Sequence, residues 1–124
     1  MQLFSSNPNA VYRKVDLDAR IEASANADLT RICLEEVISF LGQALSRLER
    51  HPAKVPHDAL SKAHGIILWL NRNIAPENPL RSELEQFYGG QAAVVRNSMT
   101  EPDLAALAEV RGDFSDLLAA AREA

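Results

Sequence analysis

The chain has 124 residues, 47% of them hydrophobic, and a net charge of −4, which is typical of one globular domain and too short for two ordinary ones. It has no basic block and no apolar run near the roughly 20 residues that span a bilayer, so neither nucleic acid nor a membrane is expected as a partner. One cysteine, Cys33, and a start too short and uncharged for a signal peptide favour the cytoplasm.

The first residues predict an arm and a docking segment. Residues 1–10 are polar and contain Pro8, which predicts an extended arm. Residues 11–22 carry Tyr12 and Val15 at amphipathic spacing. A helix this short is unstable alone and must dock on the rest of the protein.

The first long helix is predicted over residues 25–50. Ser24 is a suitable N-cap, and Asp28 lies in the first turn, where a negative charge favours the helix dipole. Apolar side chains recur at spacings of three and four from Leu29 to Leu48. Pro52 ends the helix because the residue before a proline avoids the α region.

An αα-hairpin follows, with helices predicted over residues 57–75 and 79–99. Asn78 can cap the second of them, with Pro79 as its first residue. Gly89 and Gly90 fall inside this helix. Close helix packing or a slight kink is the simple interpretation of the glycine pair, and a functional hinge is the alternative.

The first hairpin helix has more apolar residues than its core face needs. The predicted core stripe is Leu60, Ala63, Ile67, Leu70 and Ile74, whereas residues 66–70 are apolar at all five positions. At about 100° per residue these five side chains point all around the helix. Ile66 and Trp69, off the stripe, are therefore predicted to meet a further partner.

The last helix is predicted over residues 101–122, with Thr100 as N-cap, Pro102 in the first turn and Asp103 three positions after the cap. No useful strand alternation occurs in the sequence. The fold predicted for residues 1–124 is a single all-α domain, an antiparallel up-down four-helix bundle with a short N-terminal helix or cap segment.

The sequence offers little for catalysis. His57 and His64 share a helix face, but no carboxylate has the Glu-x-x-His spacing of di-iron bundles. Cys33 lies on the apolar stripe, where a buried inert thiol is expected. We therefore expect no enzyme activity, no cofactor, no metal site and no catalytic residue.

With these helices placed, the sequence resembles the FliS family of flagellar secretion chaperones. The resemblance runs from about Tyr12 to the C-terminus. It rests on bundle positions in the right order: Tyr12, Ala23-Ser24, Ile38-Ser39-Phe40-Leu41-Gly42-Gln43-Ala44, Leu60-Ser61-Lys62-Ala63, Ile66-Ile67, Leu70-Asn71, Leu84, Phe87-Tyr88 and Leu107-Ala108-Glu109-Val110.

The resemblance implies a cytoplasmic chaperone that binds the disordered C-terminal segment of flagellin, prevents premature polymerisation and aids secretion through the flagellar export apparatus. It also implies that the N-terminal segment with its tyrosine covers part of the binding surface when the client is absent. The predicted partner-binding residues are Tyr12, Val15, Ile66, Trp69, Ile74, Phe87 and Tyr88. A monomer or a weak homodimer is expected. The alternative is a structural or regulatory bundle that buries the same apolar strip by self-association.

Overall fold

A computed structural model describes residues 26–123 of the chain. This part contains four helices and no strand. They are α1 (Asn26–Arg50), α2 (His57–Arg72), α3 (Arg81–Ser98) and α4 (Leu104–Glu123). The predicted arm and cap segment, and the predicted N-cap Ser24, lie outside the described residues.

The four helices form an antiparallel bundle. Helix α1 packs against both α2 and α4, and α3 packs against α2, while the contact between α3 and α4 is less extensive. Short connections join consecutive helices, so each runs opposite to the one before it. The predicted all-α fold and four-helix architecture are confirmed.

The core is mainly aliphatic and runs the length of the bundle. Its members are buried side chains from all four helices: Ile32, Cys33, Leu34, Val37, Phe40, Leu41, Ala44, Leu48, Ala59, Leu60, Ala63, Ile66, Ile67, Leu70, Tyr88, Ala92, Val95, Leu107, Val110, Phe114 and Leu118. Full burial of such a side chain contributes roughly 1.5–3 kcal/mol, so this core is the main source of stability.

The α2–α3 connection is longer than the sequence predicted. Helix α2 ends at Arg72, where the Asn73 side-chain amide donates to the Trp69 carbonyl at 2.8 Å. The Asn73 backbone N–H also donates to this carbonyl, at 3.1 Å, so Asn73 caps the end of α2. The Oδ1 of Asn78 accepts a hydrogen bond from the Leu80 N–H at 2.8 Å. Asn78 therefore closes a turn, and α3 begins at Arg81 rather than at residue 79.

The predicted cap of α4 is wrong. Asp103, not Thr100, is the capping residue: its Oδ1 accepts a hydrogen bond from the Ala106 N–H at 3.0 Å. This is the N-cap to N3 pattern that satisfies an unpaired N–H in the first turn. Helix α4 accordingly begins at Leu104, three residues after the predicted start.

Polar contacts hold α4 to its neighbours. Arg111 lies against Gly42 of α1, where a Cβ would be 3.3 Å from the guanidinium, and its Nε donates to the Ile38 carbonyl at 3.3 Å. On the other side, the Gln91 amide of α3 donates to Asp113 at 2.9 Å. Arg111 is itself exposed, whereas its neighbour Val110 is buried in the core.

The glycine pair Gly89–Gly90 lies inside α3, which continues through it. Both residues are exposed, and a Cβ built at either would have no atom within 4 Å. Close helix packing therefore does not explain the pair, and that interpretation is wrong.

Because Gly90 has open space and helical backbone, we expect Gly90→Ala to stabilise the fold by about 0.5–1 kcal/mol, through a smaller loss of backbone entropy on folding. Urea unfolding followed by circular dichroism measures this change. The matched control is Gly42→Ala, which introduces a Cβ against the Arg111 guanidinium and should gain less. Equal gains at the two positions would contradict the packing described here.

Candidate functional site

The potential reactive groups are buried or isolated. Cys33 is buried, and desolvation raises the pKa of its thiol to about 11, so little thiolate exists at neutral pH. Burial lowers the pKa of His64 below 6.5, and the positive charge of Arg96 on α3 lowers it further. Within the described residues, no three His, Cys, Asp or Glu side chains are grouped to hold a metal ion.

Two predicted partner-binding residues belong to an aromatic cluster between α3 and α4. The Phe87 ring lies edge-on to Tyr88 and Phe114, with centroids 5.6 and 5.3 Å apart. Tyr88 is buried and stacks at 6.3 Å on Phe114. Such pairs stabilise a core beyond their area of burial. Tyr88 could reach a partner only if the bundle opened, so its role in binding stays a prediction.

Tyr88 also carries a buried titratable hydroxyl. Burial raises the pKa of the Tyr88 hydroxyl to about 12, and the neighbouring Cys33 contributes to this increase. Cys33 is on α1 and Tyr88 on α3, and both side chains are buried in the core of the bundle. Both groups are therefore held neutral by the same apolar surroundings.

The prediction that Ile66 lies off the core is wrong, because its side chain is only 1% exposed. Around the axis of α2, at 100° per residue, Ile66 lies about 80° from the centre of the predicted core stripe. Helices α1 and α3 flank α2 on both sides and bury an arc wide enough to include it.

Trp69 is partly buried and packs against the core at its edge. Trp69 lies seven positions after Lys62, so the two side chains are on the same face of α2. The Lys62 Nζ is 5.6 Å from the centroid of the Phe40 ring on α1. Trp69 is therefore on the α1 side of the hairpin, whereas Phe87 is on the α4 side. The structure does not bring the two together into one groove.

The most exposed apolar residue of α2 is one that the sequence analysis did not single out. Leu68 is 39% exposed, and Leu80, in the connection before α3, is 58% exposed. A sequence signal was available, since Leu68 lies about 120° from the stripe centre, further than Ile66. Ile74, in the same connection, is partly buried against the core.

Leu68, Trp69 and Leu80 all lie where α2 ends and α3 begins, and we call them the hairpin surface. The antiparallel order places the start of α1 at this end of the bundle too. Tyr12 and Val15 lie outside the described residues.

The described residues define the class of all-α antiparallel four-helix bundles. A family model described as Flagellar protein FliS matches residues 8–124, nearly the whole chain. The protein belongs to the FliS family, which confirms the resemblance seen in the sequence.

FliS proteins are flagellar export chaperones, and membership gives this chain the same general role. A search of curated proteins finds no match to the chain. No helix in the part of the chain that the structure describes combines the length and hydropathy needed to cross a bilayer.

The raised pKa values of Cys33 and Tyr88 predict a loss of stability at alkaline pH. The two groups ionise near 9.0 and 10.0 when exposed, but near 11 and 12 in the folded protein. The free energy of unfolding therefore keeps its full value below about pH 9. It falls as the pH rises toward 12, because the two groups lose their protons at lower pH in the unfolded chain than in the folded protein. Between about pH 8 and about pH 10.5 we expect a loss of roughly 2–3 kcal/mol in urea unfolding.

The double variant Cys33→Ala/Tyr88→Phe removes both titrating groups, and its stability should change less over the same pH range. The Tyr88→Phe variant alone keeps the ring contacts and should retain the Cys33 part of the effect. The same alkaline loss in the wild type and the double variant would contradict this assignment.

Proposed function

We propose that this protein is a cytoplasmic chaperone for flagellin, which binds the disordered C-terminal segment of that subunit, prevents its premature polymerisation and passes it to the flagellar export apparatus. The observation that carries the proposal is the hairpin surface: Leu68 and Leu80 are large apolar residues left exposed at the end of the bundle where Trp69 is partly buried. An exposed apolar surface of this kind suits an amphipathic client helix.

The energetics require a long client path. Ordering a disordered residue costs roughly 1.5 kcal/mol, and apolar burial contributes about 25 cal/mol per Å². Each ordered client residue must therefore bury about 60 Å² of apolar surface, on the two chains together, to offset its own ordering. Three side chains on the hairpin surface are too few for this, so the client must continue over other parts of the bundle.

Trp69 is the proposed anchor of the client. Core contacts already restrict the conformation of the Trp69 side chain. Its exposed face can therefore bind a client with little further loss of side-chain entropy. Leu68 replaces Ile66 in this proposal, because Ile66 is buried. Ile74 extends the surface along the connection to Leu80.

We further propose that the segment with Tyr12 and Val15 covers part of this surface when no client is bound. Residues 1–25 join α1 at the end of the bundle that carries the hairpin surface. Both the proposed cap and the hairpin surface are therefore expected at the same end of the bundle.

Isothermal titration of the full chain with a peptide of the flagellin C-terminal segment tests the function. We expect binding with a Kd in the range of about 10 μM or tighter, together with a negative heat-capacity change from apolar burial. No heat of binding at tens of micromolar would overturn the flagellin proposal.

The same titration tests the surface. Trp69→Ala should weaken binding by about 1 kcal/mol or more, and Leu68→Ser should weaken it as well, since each removes apolar contact area. Leu104→Ser is the matched control, because Leu104 is 43% exposed but lies at the opposite end of the bundle. Equal effects of Leu68→Ser and Leu104→Ser would remove the hairpin surface from the proposal.

Self-association is the second candidate, and the exposure of Leu68 and Leu80 also favours it. In this case a symmetric dimer would bury the hairpin surface against its copy. Light scattering at low micromolar concentration separates the two: a monomer supports the chaperone, whereas a tight dimer that Leu68→Ser dissociates supports the alternative.

A further inference from the structure

Basic side chains cluster around the α1–α2 connection, at the end of the bundle opposite the hairpin surface, although Glu49, Glu101 and Asp103 also lie at this end. Arg47 and Arg50 are in the last turn of α1, His51 and Lys54 are in the connection, and His57 begins α2. All five side chains are exposed. This contrasts with the whole chain, whose net charge is −4.

These residues surround a cavity of about 470 Å³, completed by Val55, Pro56 and Asp58. We call it the basic cavity. Asp58 is its one carboxylate, and it pairs with Lys62 on the next turn of α2 at 3.1 Å. Its charge is thus already compensated on the α2 side.

Helix stabilisation explains only part of this cluster. Arg47 and Arg50 suit the negative end of the α1 dipole, and the Arg50 Nε donates to the Ser46 carbonyl at 3.3 Å. His51 and Lys54 lie beyond α1, and His57 lies at the positive end of α2, where a basic residue gains nothing from the dipole. Pro56, the N-cap of α2, makes no side-chain capping bond, and Asp58 is the one acidic residue in the first turn of this helix.

We propose that the basic cavity binds an acidic peptide segment of a partner protein, with glutamate or aspartate carboxylates lying among Arg47, Arg50 and Lys54. The size of the cavity suits a few side chains of a peptide. Five basic residues at one end of an acidic protein do not make the long basic track on which a nucleic acid is held, so a peptide is the favoured polyanion. This surface is separate from the hairpin surface and does not depend on the flagellin proposal.

The test uses the full chain and a fluorescein-labelled peptide rich in glutamate, with a second peptide in which every glutamate is glutamine. Fluorescence anisotropy at low salt should show binding of the first peptide only. Affinity should fall steeply as salt increases, because exposed charges are screened beyond about 10 Å at 0.1 M.

The variant Arg47→Gln/Lys54→Gln should weaken glutamate-peptide binding by about threefold to tenfold, the range for losing two exposed ion pairs. The control is Arg81→Gln/Arg122→Gln, which removes the same charge at the other end of the bundle and should leave binding unchanged. Unfolding curves of both variants establish that each is folded.

Three results would overturn the proposal. They are equal binding of the glutamate and glutamine peptides, equal loss of affinity in the two double variants, and tighter binding of a single-stranded oligonucleotide of the same charge. Because flagellin peptide is absent from this assay, its result is independent of the client titration.

Discussion

Helix α1 must bury apolar side chains on two sides at once, and the rest of the bundle depends on this requirement. Leu34, Val37 and Leu41 are almost completely inaccessible, because α2 and α4 both pack on α1. Helix α3 reaches the core mainly through α2 and through the aromatic contacts of Phe87 and Tyr88 with Phe114. The α3–α4 side is therefore the less tightly packed side of the bundle, held by rings and by the Gln91–Asp113 hydrogen bond.

The sequence predicts the helices well because the spacing of the apolar residues follows directly from which side chains are buried. It predicts helix ends less well, since several residues compete for each capping role. Thr100 and Asp103 are both good N-caps, and only the backbone path shows that the Asp103 carboxylate reaches the Ala106 N–H. Likewise, Asn78 has the residue type of a helix cap but closes a turn two residues before α3 begins.

The candidate site shows a different limit. Periodicity gives the angle of each side chain around α2, but not how wide an arc its neighbours cover. Ile66 and Leu68 differ by about 160° on the helix, yet both belong to one unbroken apolar run. The packing of α1 and α3 decides that Ile66 is buried and Leu68 exposed. Crossing angles and interhelical distances, which no short pattern contains, set this outcome.

The two ends of the bundle offer a partner different kinds of interaction. At the hairpin surface, binding would come from apolar burial, which salt does not screen. At the basic cavity it would come from exposed charges, which salt screens strongly. His57 and Trp69 are twelve residues apart on α2, so the two surfaces are separated by about 18 Å along the helix. That is roughly two Debye lengths at physiological ionic strength, so the charges at one end scarcely act on a ligand at the other. The affinity of a ligand at the hairpin surface is therefore set by apolar contacts and scarcely by the charges around the basic cavity.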